Sequence, residues 1–358
     1  MKKRIIIFIG SLQTGGAERV VSLIASYLTS SFSSVEIVTY YNFPIFYEIS
    51  PRVKIISLED ETHTKSILKN MKWFRSYVKR NNPDIVLSFL SVFNILSFFA
   101  LLHIKVKLIA CERSDPRYSP RNPFLKIIRN VIYNYVDGIV FQTCLSQNYF
   151  PRKIGKKGIV IANPCSIGEN LMGKALTTPK KRKIVSVCRL IKTKNLNMLI
   201  SAFSVIQKRF PLYELNIYGE GDSRRDIEEM IERLSLSDAI NLRGNMQDVH
   251  QHILDAEIFV LSSNYEGMPN SLMEAMALGL PVISTRVAGT NELIDGKENG
   301  ILINIGDEKG LVEALIQLIE NPDLRYYYGK NAKEQMKNYR KEIILDRWNG
   351  YLQHIIDD

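Results

Sequence analysis

Short runs of β-branched and other apolar residues, among them Arg4–Ile9, Val35–Thr39, Val53–Ile56, Ile85–Phe89, Lys107–Cys111 and Gly138–Gln142, alternate along this chain with longer stretches of helical apolar spacing. Strands that are apolar throughout need cover on both faces, and helices between them supply it, so the pattern restricts the chain to α/β architecture. It starts again at Lys183–Val187 and continues through Glu214–Tyr218, Ile240–Leu242 and Glu257–Leu261. A length of 358 residues at 46% hydrophobic content exceeds one ordinary core and suits two α/β domains. We place the first at residues 1–167 and the second at 168–340, with the polar, basic Gly168–Lys183 segment as linker.

Several features mimic other classes. Met1–Ile9 has the basic start of a secretion signal, but its apolar run is short and Gly10 opens a glycine motif, so it reads as a buried strand. Ile85–Leu102 is uncharged over the length of a membrane span; Ser88, Ser91, Asn94 and Ser97 interrupt it, which fits strand, turn and buried helix better. Cys111, Cys144, Cys165 and Cys188 lie far apart beside apolar runs, as buried thiols of a reducing compartment.

The net charge of +10 is uneven: residues 1–170 hold 23 Lys and Arg against 11 Asp and Glu, the remainder 24 against 26. That excess points to an anionic partner for the first half, a membrane surface or a phosphate-bearing acceptor. No aromatic-basic RNA motif is present, so nucleic acid is not expected. Lys65, Lys69, Lys72, Arg75 and Lys79 recur at helical spacing and define a basic face. Either it is simply solvated, or it follows a lipid surface or a lipid pyrophosphate.

Chemistry concentrates between Tyr265 and Pro281. Glu266 and Glu274 flank a turn containing Gly267 and Pro269, and Ser271 is placed to cap a helix with apolar Leu272, Met273 and Met276. Amides near Asn270–Met273 at such a helix start suit a pyrophosphate, and a sugar nucleotide brings hydroxyls on both sides for the two carboxylates. The competing explanation is a capping box of Ser271 and Glu274. Gly15 and Gly16, and Gly219 and Gly221, allow close backbone approach; Arg189 can fork onto phosphate and Lys194 adds a charge, unless these are plain turns and surface cations. No D-x-D, H-E-x-x-H or Walker loop occurs, and His250 and His252 read as surface residues, so neither metal nor cofactor is expected.

Glu266 and Glu274, seven residues apart and followed by Ala275–Ser284, resemble the E-x7-E signature of family 4 retaining glycosyltransferases of the GT-B fold. Gly15-Gly-Ala-Glu-Arg19 is similar to that family's first loop, Arg189 with Lys194 to its phosphate-binding pair, and Tyr218-Gly-Glu-Gly-Asp222 to its base-side turn. The resemblance covers most of the chain. It implies two Rossmann-like parallel-sheet domains facing across a cleft, acceptor on the first and nucleotide sugar on the second, with a last helix in 341–358 crossing back to the first domain.

The implied activity is metal-independent transfer, with retention, of a hexose or N-acetylhexosamine from a UDP-sugar to a glycan acceptor. A polyprenyl-pyrophosphate-linked acceptor is expected, in capsule or O-antigen assembly at the cytoplasmic face of the cell membrane. Glu266 would hold the donor sugar and act with Arg189 and Lys194; Glu274 would hold the ribose. Gly15, Gly16, Gly219, Gly221, Arg243, Gly244, Asn245 and the stretch Gly267, Met268, Pro269, Asn270, Ser271, Leu272 would line the donor. The family often carries a His motif where this chain has Glu112-Arg-Ser-Asp-Pro116, similar instead to the Glu-Arg-Asn-Asp-Pro form of some polysaccharide-assembly enzymes. Acceptor contact by Glu112, Arg113 or Asp115 is expected there, with a structural ion pair as the alternative. Asn195 replaces the usual glycine after Lys194. A UDP-sugar 2-epimerase of the same fold and a non-catalytic partner of another transferase are the rivals, and an acceptor-free conversion assay separates the first.

Overall fold

The computed structural model describes residues 3–294 and 298–357. The chain forms two compact units, Met1–Pro164 with Lys341–Asp358, and Cys165–Arg340.

In the first unit the order is β1 (Arg4–Ile9), α1 (Gly16–Leu28), β2 (Ser34–Thr39), β3 (Lys54–Ser57), α2 (Leu58–Thr62), α3 (Ile67–Asn81), β4 (Ile85–Phe89), α4 (Ser91–Ala100), β5 (Lys107–Glu112), α5 (Pro123–Ile132), β6 (Gly138–Phe141), α6 (Cys144–Tyr149), α7 (Arg152–Lys157) and β7 (Gly158–Val160). The seven strands form one parallel sheet, β3-β2-β1-β4-β5-β6-β7. Strand order reverses at β1 and β4, where Ile5 pairs with Ile85 and Phe8 with Ser88. β1 buries five of its six residues, as a central strand covered on both faces must. Phe8 stacks on Phe74 of α3 with ring centroids 4.5 Å apart.

The uncharged run Ile85–Leu102 is two elements, β4 and α4, joined at Leu90, whose φ of 74° turns the chain sharply. Among the described residues no helix is long and apolar enough to cross a membrane.

The second unit runs α8 (Glu169–Thr177), β8 (Lys183–Val187), α9 (Leu196–Arg209), β9 (Glu214–Tyr218), α10 (Arg224–Arg233), β10 (Ile240–Leu242), α11 (Val249–Ile253), β11 (Ile258–Leu261), α12 (Asn270–Ala277), β12 (Val282–Thr285), α13 (Thr290–Leu293), β13 (Ile301–Ile303), α14 (Glu308–Glu320) and α15 (Pro322–Met336). Its parallel sheet is ordered β10-β9-β8-β11-β12-β13, with the reversal at β8 and β11. The core packs α9 and α14, through fully buried Leu199, Phe203, Leu315 and Leu318, against Leu215, Ile217, Ile258 and Val260 of the sheet.

The last helix, α16 (Lys341–Asp357), packs on the first unit. Trp348 is fully buried against Phe89, Tyr27 bonds Asp346, and Arg347 donates to the Val160 carbonyl at 3.0 Å.

Two local expectations are corrected. The proposed linker contains helix α8, since Leu171, Met172 and Ala175 recur at helical spacing despite the polar surroundings. Cys144 is exposed, unlike Cys111 and Cys165, which are buried, and Cys188, which is half-buried.

Candidate functional site

In an open parallel sheet the loops at the carboxyl ends of the two strands flanking the reversal diverge to opposite faces and leave a crevice. In the second unit those strands are β8 and β11, and their loops carry Arg189 and Lys194, and Glu266. Lys194 Nζ pairs with Glu266 Oε1, which also accepts from the Ser263 hydroxyl at 2.8 Å. Both side chains retain partial exposure, about one-seventh each, so the pair faces the crevice and is not core.

Main-chain contacts hold the loops in register. Ser262 Oγ donates to the Lys194 carbonyl and the Asn264 amide to the Thr193 carbonyl, each at 2.8 Å. Asn195 has φ 49° and ψ 43°, the left-handed conformation that glycine reaches at no cost and asparagine tolerates best among the rest. The departure from glycine at this position therefore preserves the turn. Arg189 is exposed on the same loop. Burial pushes the neighbouring Cys188 thiol up to about 11, against the pull of Lys194 and Arg189.

The glycines of the β9 turn serve a different purpose from the one expected. A Cβ on Gly219, at φ 137°, would stand 1.9 Å from the Cys188 carbonyl oxygen, and one on Gly221 would stand 2.4 Å from that of Leu190. Their missing side chains admit the chain's own neighbouring loop. The Gly219 amide bonds the Gly244 carbonyl at 2.8 Å, which draws the Arg243–Asn245 turn alongside. Arg243 and Asn245 are exposed, and Arg243 Nε donates to Asn216 Oδ1 at 2.8 Å.

Ser271 is not the cap of α12. Pro269 occupies the N-cap position, Ser271 lies within the first turn, and the first intrahelical bond runs from the Met273 amide to the Pro269 carbonyl at 3.2 Å. The amides of Ser271 and Leu272 thus have no intrahelical acceptor, and the positive end of the helix dipole lies at the turn that follows Glu266. Met268 and Leu272 are buried side chains, so only their backbones are placed to meet a ligand. Gly289 packs under this turn, where a Cβ would come 2.3 Å from the Gly267 carbonyl oxygen.

Glu274 is 6% exposed, and His250 Nε2 lies 2.9 Å from its Oε2. The approach lacks hydrogen-bond alignment, so this is a close polar contact and not a hydrogen bond. His250 belongs to the site and not to the surface pair expected for it. A pairing between α11 and α12 has no local signature in the sequence.

In the first unit Gly15 is the N-cap of α1 and Gly16 its first residue, at the carboxyl end of β1 beside that unit's own strand reversal. The acidic cluster behaves otherwise than expected. Glu112 is fully buried; its carboxylate accepts from Ser91 at 2.8 and 3.0 Å and from Tyr133 at 3.0 Å, and stands 3.6 Å from Arg129. Burial pushes this carboxyl up, opposed chiefly by Arg129. With no exposed surface it is a scaffold residue, and the structural ion pair is the observed arrangement.

Arg113, also buried, bonds Asn163 and stacks over Phe89 and Trp348, 5.9 Å from each ring; burial lowers it to about 10. Asp115 is buried and paired with Arg117 at 2.6 Å. None of the three presents its charged group to solvent as an acceptor contact requires.

The basic face of α3 is smaller than its spacing suggests. Lys69, Lys72 and Lys79 are exposed, and Lys65 precedes the helix, 3.9 Å from Glu59. Arg75 instead turns inward, donating to the carbonyls of Ala100 and Leu102 at 2.7 Å each.

Among the described residues, no three His, Cys, Asp or Glu side chains are grouped as a metal site would need. Residues 169–335 match the family described as glycosyl transferases group 1. Two Campylobacter jejuni proteins are similar over nearly their whole lengths. One, 29% identical over 94% of this chain and 96% of its own, is named N-acetylgalactosamine-N,N'-diacetylbacillosaminyl-diphospho-undecaprenol 4-alpha-N-acetylgalactosaminyltransferase. The other, 26% identical over 96% and 97%, is named for alpha-1,4-N-acetyl-D-galactosaminyl transfer to a longer undecaprenol-diphosphate-linked glycan. Anabaena HepE, solved with UDP-glucose, shares the fold at a TM-score of 0.81, with 16% identity over 98% of this chain and 99% of its own.

Proposed function

We propose, starting from membership of the glycosyl transferases group 1 through residues 169–335, that this enzyme transfers a hexose or N-acetylhexosamine from a UDP-sugar to a polyprenyl-diphosphate-linked glycan, with retention and without a metal ion. The observation that carries this reading is the meeting of Lys194 with Glu266 at the strand reversal of the second unit, between Arg189 and the start of α12.

A nucleoside diphosphate in that crevice meets two cations and a helix N-terminus. Charge develops on the diphosphate as its bond to the anomeric carbon breaks, and donors already in place stabilise it by about 3–4 kcal/mol for each one well aimed. The acceptor hydroxyl attacks from the face the diphosphate leaves, its oxygen bonds the anomeric carbon, and its proton passes to the departing phosphate oxygen. Glu266 faces the donor sugar and stabilises positive charge growing on its ring. Until donor arrives it keeps Lys194 in place. Glu274, held by His250, accepts from the ribose hydroxyls.

The lipid-linked acceptor is supported by the names of the two Campylobacter relatives and by the cationic first half of the chain. Action on such an acceptor places the protein at the cytoplasmic face of the membrane. The relatives' names as transferases weigh against the epimerase and non-catalytic alternatives.

The test is a nucleotide-sugar panel read by thermal shift, followed by transfer to a polyprenyl-diphosphate-linked sugar with the anomeric product assigned by NMR. A UDP-sugar at about a hundred times its Kd adds ~2.7 kcal/mol of stability. Absence of any shift across UDP- and GDP-sugars, or a product of inverted configuration, refutes the proposal.

A further inference from the structure

The outer surface of α4 and α5 is apolar where helices facing water are normally charged. None of the ten residues of α4 carries a charge; its Phe99 is 53% exposed, and Leu102 just beyond its end is 38% exposed. On α5, Phe124, Ile127 and Val131 recur at spacings of three and four and form one stripe, which Tyr135 extends past the helix end. These four are 53–70% exposed, while Arg129 and Ile132 of the same helix are buried. The two helices present one surface, since the rings of Phe98 and Tyr135 are 6.3 Å apart. Arg75 fastens α3 to the carboxyl end of α4, so α3 adds exposed Lys69 and Lys72, with Leu68 76% exposed, on the flank.

Charge selects the occupant. Residues 62–136 contain thirteen Lys and Arg against three Asp and Glu, and two of those three, Glu112 and Asp115, are buried. A second copy would bring the same cations against one another. An anionic bilayer offers what this surface lacks: hydrocarbon at the headgroup boundary for the rings and branched side chains, and phosphates for the lysines.

We propose that α4 and α5 seat the protein on an anionic lipid bilayer, with Phe99, Phe124, Ile127 and Val131 entering the headgroup–acyl boundary and Lys69 and Lys72 engaging lipid phosphates. Insertion of the apolar stripe, and not the lysine face alone, holds the protein there. The inference deepens the proposed function and rests on it for the lipid-borne acceptor, but not for the binding itself.

The experiment is flotation of the full chain with vesicles of phosphatidylcholine, alone or with about a third phosphatidylglycerol. Wild type floats with the anionic vesicles. Ile127→Gln with Val131→Gln lowers partitioning about tenfold or more, because two branched apolar side chains no longer leave water. Lys69→Glu with Lys72→Glu lowers it severalfold and blunts its salt dependence. Both pairs keep the wild-type thermal shift with UDP, which reports an intact second unit. As a check independent of loss of binding, Val131→Trp shifts its fluorescence to the blue on anionic vesicles.

Wild-type partitioning by the Ile127/Val131 pair, an unshifted Val131→Trp spectrum, or a wild-type dimer that the same pair disperses overturns the inference. Failure to float with transfer to a short soluble acceptor intact sinks this inference alone. Flotation without any response to nucleotide sugars sinks the functional reading and leaves the bilayer seat standing.

Discussion

Replacing Arg129 by Met tests whether the acid at the end of β5 is scaffold or acceptor contact. Arg129 is fully buried, 3.6 Å from Glu112, and donates to the Ser119 carbonyl at 2.6 Å while its guanidinium lies 4.8 Å from the Phe150 ring centre. Met fills much of the volume but leaves a buried carboxylate without its cation, a change that costs about 3–5 kcal/mol when the acid stays charged. Glu112 has another route, which is to take up a proton. Its carboxyl is already pushed up by burial in the folded protein, and Arg129 is the main influence holding it down.

A carboxyl raised on folding stabilises least at high pH. Its contribution is intact below the unfolded value near 4.3 and declines as pH rises toward the folded value. Removing Arg129 raises the folded value further, so the decline, about 1.4 kcal/mol per pH unit while the folded state alone holds the proton, extends to higher pH. We expect a loss of roughly 1–2 kcal/mol near pH 5, from the lost hydrogen bonds and packing. Near pH 8 the loss grows to about 3–5 kcal/mol. At about 2–4 °C per kcal/mol for a unit of this size, the first unit's Tm falls by ~6–20 °C at the higher pH. Thermal denaturation followed by circular dichroism at both pH values reads this directly, and acceptor KM measured well below the transition stays within about twofold of wild type. A Tm change that is small and the same at both pH values would refute the reasoning and return Glu112 to the list of acceptor contacts.

Glu266→Gln lowers kcat by about a hundredfold or more with only a modest change in donor affinity, since the negative charge that stabilises the developing oxocarbenium is lost while hydrogen bonding remains; wild-type kcat would exclude the assigned role. His250→Ala raises donor KM by about three- to tenfold at nearly constant kcat, because Glu274 loses a positioning contact remote from the bond that breaks; an equal fall in kcat instead would place His250 elsewhere in the mechanism. Gly219→Ala destabilises the second unit by more than about 3 kcal/mol, as its Cβ meets a carbonyl oxygen in a left-handed turn; an unchanged melting curve would contradict the packing described.

The sheets were legible in the sequence because their strands are apolar without interruption. Arg4–Ile9, Ile85–Phe89, Lys183–Val187 and Glu214–Tyr218 occupy the stretches expected. Elements with mixed composition were not. Helix α8 is hidden among lysines, glycines and threonines, and what marks it is only a sparse apolar spacing. The site residues divide in the same way. Lys194 and Glu266 could be named from motif spacing, but their direct pairing depends on β8 and β11 being neighbours, which no local pattern encodes. Glu112 looked like a strand-end charge ready for a ligand because its partners Ser91, Arg129 and Tyr133 come from other segments. Gly219 and Gly221 looked like room for a base, but the space is filled by residues 188–190.

The main-chain bonds at the ends of β8, β9 and β10 limit how such an enzyme changes its substrate. Cys188 N–H bonds the Tyr218 carbonyl at 3.0 Å, Leu190 N–H the Glu220 carbonyl at 2.9 Å, and Gly219 N–H the Gly244 carbonyl at 2.8 Å. Three turns are thereby welded peptide to peptide, with no room for a side chain at Gly219 or Gly221. An insertion in any of them would unseat the other two, whereas exchanging Arg189 or Asn245, whose side chains are exposed, leaves the weld untouched. New donor preferences on this frame should therefore arise by point substitution at those exposed positions, and libraries that vary loop length there should yield unfolded protein.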